Sequence, residues 1–402
     1  RGASPAAIPR IVDTPPCKAG AKGGQGRRTD VGLHQGTADC PERKHATQHA
    51  AQACKQNNKS LNVQQDSHHH LSRYHRSITH YESGVYPPPA IHVLCCPDSH
   101  YCPYTGVMLT SLLENNRRHH IEIWIATTDN DPDNRRRFLT LEDDYDCRIH
   151  IIHVTQKEMD ALPDGQGFWS KATYLRLTVL KSLPAAVTKI LYLDGDIIVN
   201  TDIAPLWNHP MGDKAAVVVT DINDYLFDNG KRLNISQPYF NAGVMVLELD
   251  RCRQLDLTDR CIQIISTMRL DYLDQDALNM VLDGHVVYAS LQWNLVTGYM
   301  QTRNYQFIPP EIISMTRNII HNRRNAIIHY TDFCKPWITG TDTFHPLYST
   351  WHRFYRKSPW KYIDICKHIR IPIRQRISIT RLKMLHRLGI RSTYNDTFIL
   401  FD

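Results

Sequence analysis

The sequence predicts an α/β fold built on a mainly parallel, twisted sheet, and three observations carry that expectation. Short apolar runs of strand length recur through the middle of the chain, segments with helical spacing separate them, and polar clusters fall where the runs end. Strands alternating with helices at this spacing argue for right-handed βαβ units and parallel pairing.

Taken in order, the first strand is Ile91-His92-Val93-Leu94-Cys95-Cys96, followed by a helix over about 104–115. Ile121-Glu122-Ile123-Trp124-Ile125-Ala126 and Arg148-Ile149-His150-Ile151-Ile152-His153-Val154 give two more strands. A helical stretch over 171–183 leads into Lys189-Ile190-Leu191-Tyr192-Leu193, and Ala215-Ala216-Val217-Val218-Val219-Thr220 follows. Together they define one nucleotide-binding-like domain over 88–340.

The flanks are different. Residues 1–87 are rich in Gly, Gln, Asn and His and lack apolar periodicity, so they bury too little to offset their ordering entropy and are expected to be disordered. His68-His69-His70 within them reads as part of a solvated polar tail rather than a metal site. Residues 341–402 form a basic, aromatic-interleaved appendage: Lys357, Lys361, Lys367, Arg370, Arg374, Arg376, Arg381, Lys383 and Arg387 stand against Asp364 alone over 356–391. That composition suits the surface of an anionic membrane.

Composition bounds the rest. The 402 residues are 42% hydrophobic and 22% charged, the signature of a globular chain, with no run near the length that crosses a bilayer. Eleven cysteines without a CxxC pair argue for a reducing, cytoplasmic setting and against structural zinc. A net charge of +7 points to an anionic partner. No nucleic-acid motif accompanies it, so nucleic acid is not the expected partner.

Four segments carry chemistry. Leu191-Tyr192-Leu193-Asp194-Gly195-Asp196 runs an apolar strand into two carboxylates, at the strand end where α/β sheets bind ligands. Alternate residues of an extended chain point the same way, so Asp194 and Asp196 can converge on one hard cation, magnesium or manganese. A surface turn is the plainer reading of Asp-Gly-Asp alone. Ile327-Ile328-His329-Tyr330 offers an imidazole to complete a mixed oxygen and nitrogen site, although a core histidine is also common. Lys335 stands six residues on as a point charge for phosphate. Tyr239-Phe240-Asn241-Ala242-Gly243 supplies an amide suited to sugar hydroxyls, a plain turn being the equal alternative, and Leu273-Asp274-Gln275-Asp276 concentrates polar groups at a helix start, where Asp274 would also serve as an N-cap.

In this order, the segments resemble glycosyltransferase family 8, over roughly 90–365. The resemblance implies a GT-A type nucleotide-sugar-binding domain and retaining transfer of glucose or galactose from UDP-glucose or UDP-galactose. It implies metal ligation by Asp194, Asp196 and His329, with Mn2+ or Mg2+ as cofactor. Donor contacts fall on Asp98, Tyr101, Arg176, Asp221, Asn241 and Lys335, and catalytic roles on Asp274, Gln275 and Asp276. The chain departs from the family's pattern at Ser99-His100 before Tyr101, and at Asp332 in place of a glycine. Phe344-His345-Pro346, Trp351 and Lys357-Ser358-Pro359-Trp360-Lys361 resemble the C-terminal module of lipopolysaccharide core transferases. A lipopolysaccharide core glycolipid is then the implied acceptor, reached from the inner face of the cytoplasmic membrane. The competing readings are a same-fold transferase with a protein or polysaccharide acceptor, a haloacid-dehalogenase-type phosphohydrolase, and a basic nucleic-acid-binding protein.

Overall fold

The computed structural model describes residues 90–164, 171–298, 307–321, 326–331, 335–339 and 347–368. The expected disordered segment 1–87 with its histidines, Asp332, Phe344-His345-Pro346 and the basic run after His368 lie outside the described residues.

Buried apolar runs form the strands. These are β1 (Ile91–Cys95), β2 (Ile121–Thr127), β3 (Cys147–His153), β4 (Lys189–Leu193), β5 (Ile197–Asn200), β6 (Ala216–Thr220), β7 (Phe240–Glu248), β8 (Val286–Tyr288), β9 (Leu295–Val296) and β10 (Ala326–His329). Seven of them make one sheet in the order β3-β2-β1-β4-β7-β6-β8. The expected parallel pairing runs through β3, β2, β1 and β4 and recurs between β6 and β8. β7 lies antiparallel between β4 and β6. The segment before it holds only one-turn helices, Asp224–Phe227 and Asn229–Arg232, so the chain doubles back instead of crossing over.

Each face of the sheet has its own core, as the two-residue period of strands requires. Val93, Ile123 and Leu191 pack on one side; Leu94, Trp124 and Tyr192 pack on the other. Helix α1 (Cys102–Asn115) covers the first face, with a proline in its opening turn and eleven of its fourteen residues buried. Helix α2 (Pro132–Leu139) follows β2. The second face is covered by α3 (Leu257–Thr267) and α4 (Leu273–Val281), and by the stretch before β4. That stretch, expected as one helix over 171–183, is a single α turn (Leu175–Thr178) between 3-10 turns (Lys171–Tyr174 and Val179–Lys181). β-Branched Thr173, Thr178 and Val179 and the following Pro184 are poor material for a longer helix.

The start of the C-terminal appendage is not separate from the domain. Helix α5 (Tyr348–Tyr355) and the residues after it place Trp351, Phe354 and Trp360 in the same core as Val93 and Leu191. Trp360 Nε1 donates to Asn134 Oδ1 at 3.1 Å, and its ring fills the place a side chain on Gly106 of α1 would take. The expected boundary at 340 therefore falls inside one core, not between two modules.

Candidate active site

A small second sheet brings the chemistry together. β10 pairs antiparallel with β5 and parallel with β9, and His329 closes β10 opposite Ile197. Asp194 and Asp196 occupy the turn joining β4 to β5. Asp194 N–H donates to Gly243 O at 2.9 Å, which extends the β4–β7 ladder by one residue. Tyr330 N–H donates to Asp196 O at 3.0 Å, which does the same for the β5–β10 ladder. Two ladders thus fix the two carboxylates and the imidazole against one another.

The outcome is a group whose ligating atoms all lie within 4.8 Å of one another: Asp194, Asp196 and His329. His329 Nε2 is 3.2 Å from Asp196 Oδ1 and 3.8 Å from Asp194 Oδ2. Two carboxylates and one imidazole form a donor set that fits a hard or borderline divalent cation such as magnesium or manganese. Backbone approach here is close. A Cβ on Gly243 would sit 2.3 Å from His329 Cε1 and 2.8 Å from Asp194 Oδ2, and one on Gly195 would sit 2.4 Å from Thr105 Oγ1. Both positions need the bare backbone of glycine.

Cations surround the group. Lys335 Nζ donates to Asp196 Oδ2 at 2.6 Å and also to Tyr330 O. Burial pushes the Asp196 carboxyl upward, but Lys335 and His329 together hold it well below the usual carboxylate range. Arg176 bridges Asp194 Oδ1 at 2.9 Å and Asp274 Oδ2 at 2.8 Å, with its guanidinium 4.6 Å over the Tyr192 ring. Burial raises Asp274 to about 6 against the pull of Arg176. Arg176 itself is desolvated, yet its two carboxylates hold its pKa above the ordinary value.

The other end of the site is built from amides. Asn241 Nδ2 and Gln275 Nε2 donate to Asp221 Oδ2 at 3.3 and 3.2 Å, and Gln275 Oε1 accepts from Ala242 N at 3.0 Å. Burial raises Asp221 above its ordinary pKa despite these donors. One cleft of about 610 Å³ joins both ends. Of the residues singled out in the sequence, Tyr101, Arg176, Asp194, Asp196, Asp221, Asn241, Asp274, Gln275, His329 and Lys335 line it.

Asp98 and Asp276 do not line it. Asp98 Oδ1 accepts from Tyr101 N at 2.8 Å and so shapes the turn that presents Tyr101. Asp276 is fully buried and accepts from Tyr239 OH at 2.6 Å, Arg232 at 2.8 Å and the amides of Asp271 and Tyr272. Its place is beneath the site, holding the start of α4, and it does not face a substrate. Sequence reasoning passed over Tyr272, Asn223 and Phe227, which also line the cleft. Tyr272 and Asn223 sit two residues from Asp274 and Asp221, so proximity to a motif was the available signal.

Residues 92–340 match the family model described as Glycosyl transferase family 8. A lipopolysaccharide 1,2-glucosyltransferase of Escherichia coli (strain K12) is 26% identical over 272 residues, 66% of this chain and 77% of its own length. General stress protein A of Bacillus subtilis (strain 168) is 24% identical over 282 residues, 68% of this chain and 96% of its own. Among solved structures, the galactosyltransferase LgtC, in complex with donor and acceptor sugar analogues, superposes with a TM-score of 0.55 at 20% identity. That match covers 71% of this chain and 99% of LgtC, and it shows a shared fold.

Proposed function

This chain belongs to glycosyl transferase family 8 and is a hexosyltransferase, and from that premise we propose that it moves glucose or galactose from a UDP-sugar to a lipopolysaccharide core acceptor with retention of configuration. One observation carries the reading: a trio of side chains placed to hold a cation, with a lysine, at one end of a cleft, and a carboxylate ringed by amides at the other.

Asp194, Asp196 and His329 would hold the divalent ion, whose chemistry is to neutralise charge growing on a diphosphate as its bond to the sugar breaks. Lys335 adds a fixed positive charge beside them. Asp221, Asn241 and Gln275 offer donors and acceptors matched to sugar hydroxyls. The described cleft presents carboxylates already engaged by Arg176, by Lys335 or by amides, which favours direct return over a covalent sugar–enzyme intermediate. In that route the anomeric carbon–oxygen bond to phosphate breaks, the acceptor oxygen bonds on the same face, and the acceptor's proton passes to the leaving phosphate.

Names of relatives support the acceptor: two E. coli K12 proteins at 26% and 27% identity are called lipopolysaccharide glucosyltransferases. No helix among the described residues is long and apolar enough to cross a membrane. Tyr362, 89% exposed with Lys361 at 5.0 Å over its ring, lies within the basic stretch 356–391 suited to an anionic membrane surface. We place the enzyme there, on the cytoplasmic side.

A donor screen tests the proposal. Purified chain is offered several UDP-hexoses with manganese, and released UDP is measured with and without lipopolysaccharide core, and again with chelator. Release should need the metal and rise with the acceptor. Release from no UDP-hexose would refute the donor class, and indifference to the core would refute the acceptor.

A further inference from the structure

We propose that Asn294 is a positioning residue that fixes the tautomer of His329 and ties the cation end of the cleft to its sugar end. It rests on the reading of Asp194, Asp196 and His329 as a metal site.

Asn294 follows the 3-10 turn Leu291–Trp293, is 1% exposed, and enters β9, whose Val296 pairs with His329. Its role follows from a hydrogen-bond chain whose sense is set at Asn241, by a backbone amide and by a carboxylate. Gly243 N–H can only donate, and it donates to Asn241 Oδ1 at 3.0 Å. Asp221 Oδ2 accepts Asn241 Nδ2 at 3.3 Å, which fixes the same amide orientation independently. An oxygen therefore faces Asn294, so the nearer Asn294 atom, at 2.9 Å, must be its Nδ2 donor. Asn294 Oδ1 is then the atom 3.0 Å from His329 Nδ1, and that nitrogen must carry the hydrogen. Nε2 is left to face Asp194 and Asp196, as a metal ligand should.

The chain does more than orient one ring. Gly243 packs against the imidazole from one side while Asn294 holds Nδ1, so the ring is clamped. Asn241 lies on the same chain and also lines the cleft beside Asp221. Asn294 thus uses its oxygen for the metal ligand and its nitrogen for the sugar side. Outer partners of this kind set ligand orientation and basicity.

Two variants separate those halves. Asn294→Ala removes both contacts; Asn294→Asp keeps an acceptor for His329 Nδ1–H but sets an oxygen against Asn241 Oδ1. Mn2+ affinity is read from the free-ion EPR signal in a titration, alongside a thermal melt and donor kinetics. Manganese binding should weaken about 10–100-fold in Asn294→Ala and stay within about 3-fold of the parent, or tighten, in Asn294→Asp. Asn294→Asp should instead raise the KM for the UDP-sugar. Parental manganese affinity in Asn294→Ala would overturn the proposal, as would equal weakening in both folded variants. A parent chain that binds no manganese would overturn the metal reading first and this inference with it.

Discussion

Among the described residues, two clusters of histidine and carboxylate invite comparison, one along the edge of the large sheet and one where it meets the small sheet. Of these two, the second has the form of a site. At the amino ends of β2 and β3, Glu122 reaches His120 Nε2 at 3.2 Å and His150 Nε2 at 2.5 Å, while His120 Nδ1 reaches Asp146 at 2.9 Å. Both nitrogens of His120 are spent on carboxylates, and the His120 and His150 side chains are each 35% exposed. The groups form a line. At the carboxyl end of β4, His329 spends Nδ1 on a neutral amide and turns Nε2 toward two carboxylates, with its side chain 5% exposed. The groups converge. The difference lies in what holds the second nitrogen and in how much water reaches the cluster, not in residue type.

The largest effect is expected from Asp196→Asn. It should lower manganese-dependent UDP release about 10³-fold or more in a protein that stays folded, with a lowered Tm because Lys335 loses its carboxylate partner. Normal turnover would reduce the cleft cluster to a second line of ion pairs. Gly243→Ala acts on convergence itself, because its methyl would meet His329 and Asp194. Manganese affinity measured by EPR should fall about 10–100-fold, and parental binding would show that the close backbone approach is dispensable.

Gln275→Ala addresses the amide end. Transfer should fall about tenfold, the scale of one or two hydrogen bonds, with manganese affinity unchanged. Loss of metal binding in that variant would mean the two ends are not separable in this way. The smallest effect belongs to the exposed line. The hydrogen bond with Glu122, then that with Asp146, raises His120 from 6.5 to about 9. A raised folded-state value means its stabilisation is fully present below pH 6.5 and is lost as pH rises through about 9. The gap in Tm between the parent and His120→Asn should be widest near pH 6 and close above pH 9, worth no more than about 1 kcal/mol in so exposed a pair. A gap that does not change with pH would remove charge as its source.

What the sequence made legible follows from how local each feature is. Asp194 and Asp196 announce themselves because an apolar strand ends in them, and β10 is an apolar run ending in His329. Strand type and strand end are short-range properties. Asn294 carries no such signal: it is an amide 35 positions from the ring it holds, brought there by the pairing of β9 with β10. The position of Arg176 between Asp194 and Asp274 is likewise set by packing between distant segments. Asp276 shows the converse. It stands within a recognisable motif, yet one helical step beyond Gln275 turns it beneath the cleft, toward Tyr239 and Arg232.

The seat of Trp360 against Gly106 has a practical consequence for anyone trimming this protein. A fragment ended at residue 340, where the family match stops, would strip α1 of the indole that occupies the space above Gly106, and would also remove Trp351 and Phe354. Such a fragment would carry an open apolar trough along the helix that follows β1, and would be prone to aggregate. The shortest expressible form should keep residues through at least 366, where Tyr104 OH still finds the carbonyl of Ile365 at 3.0 Å.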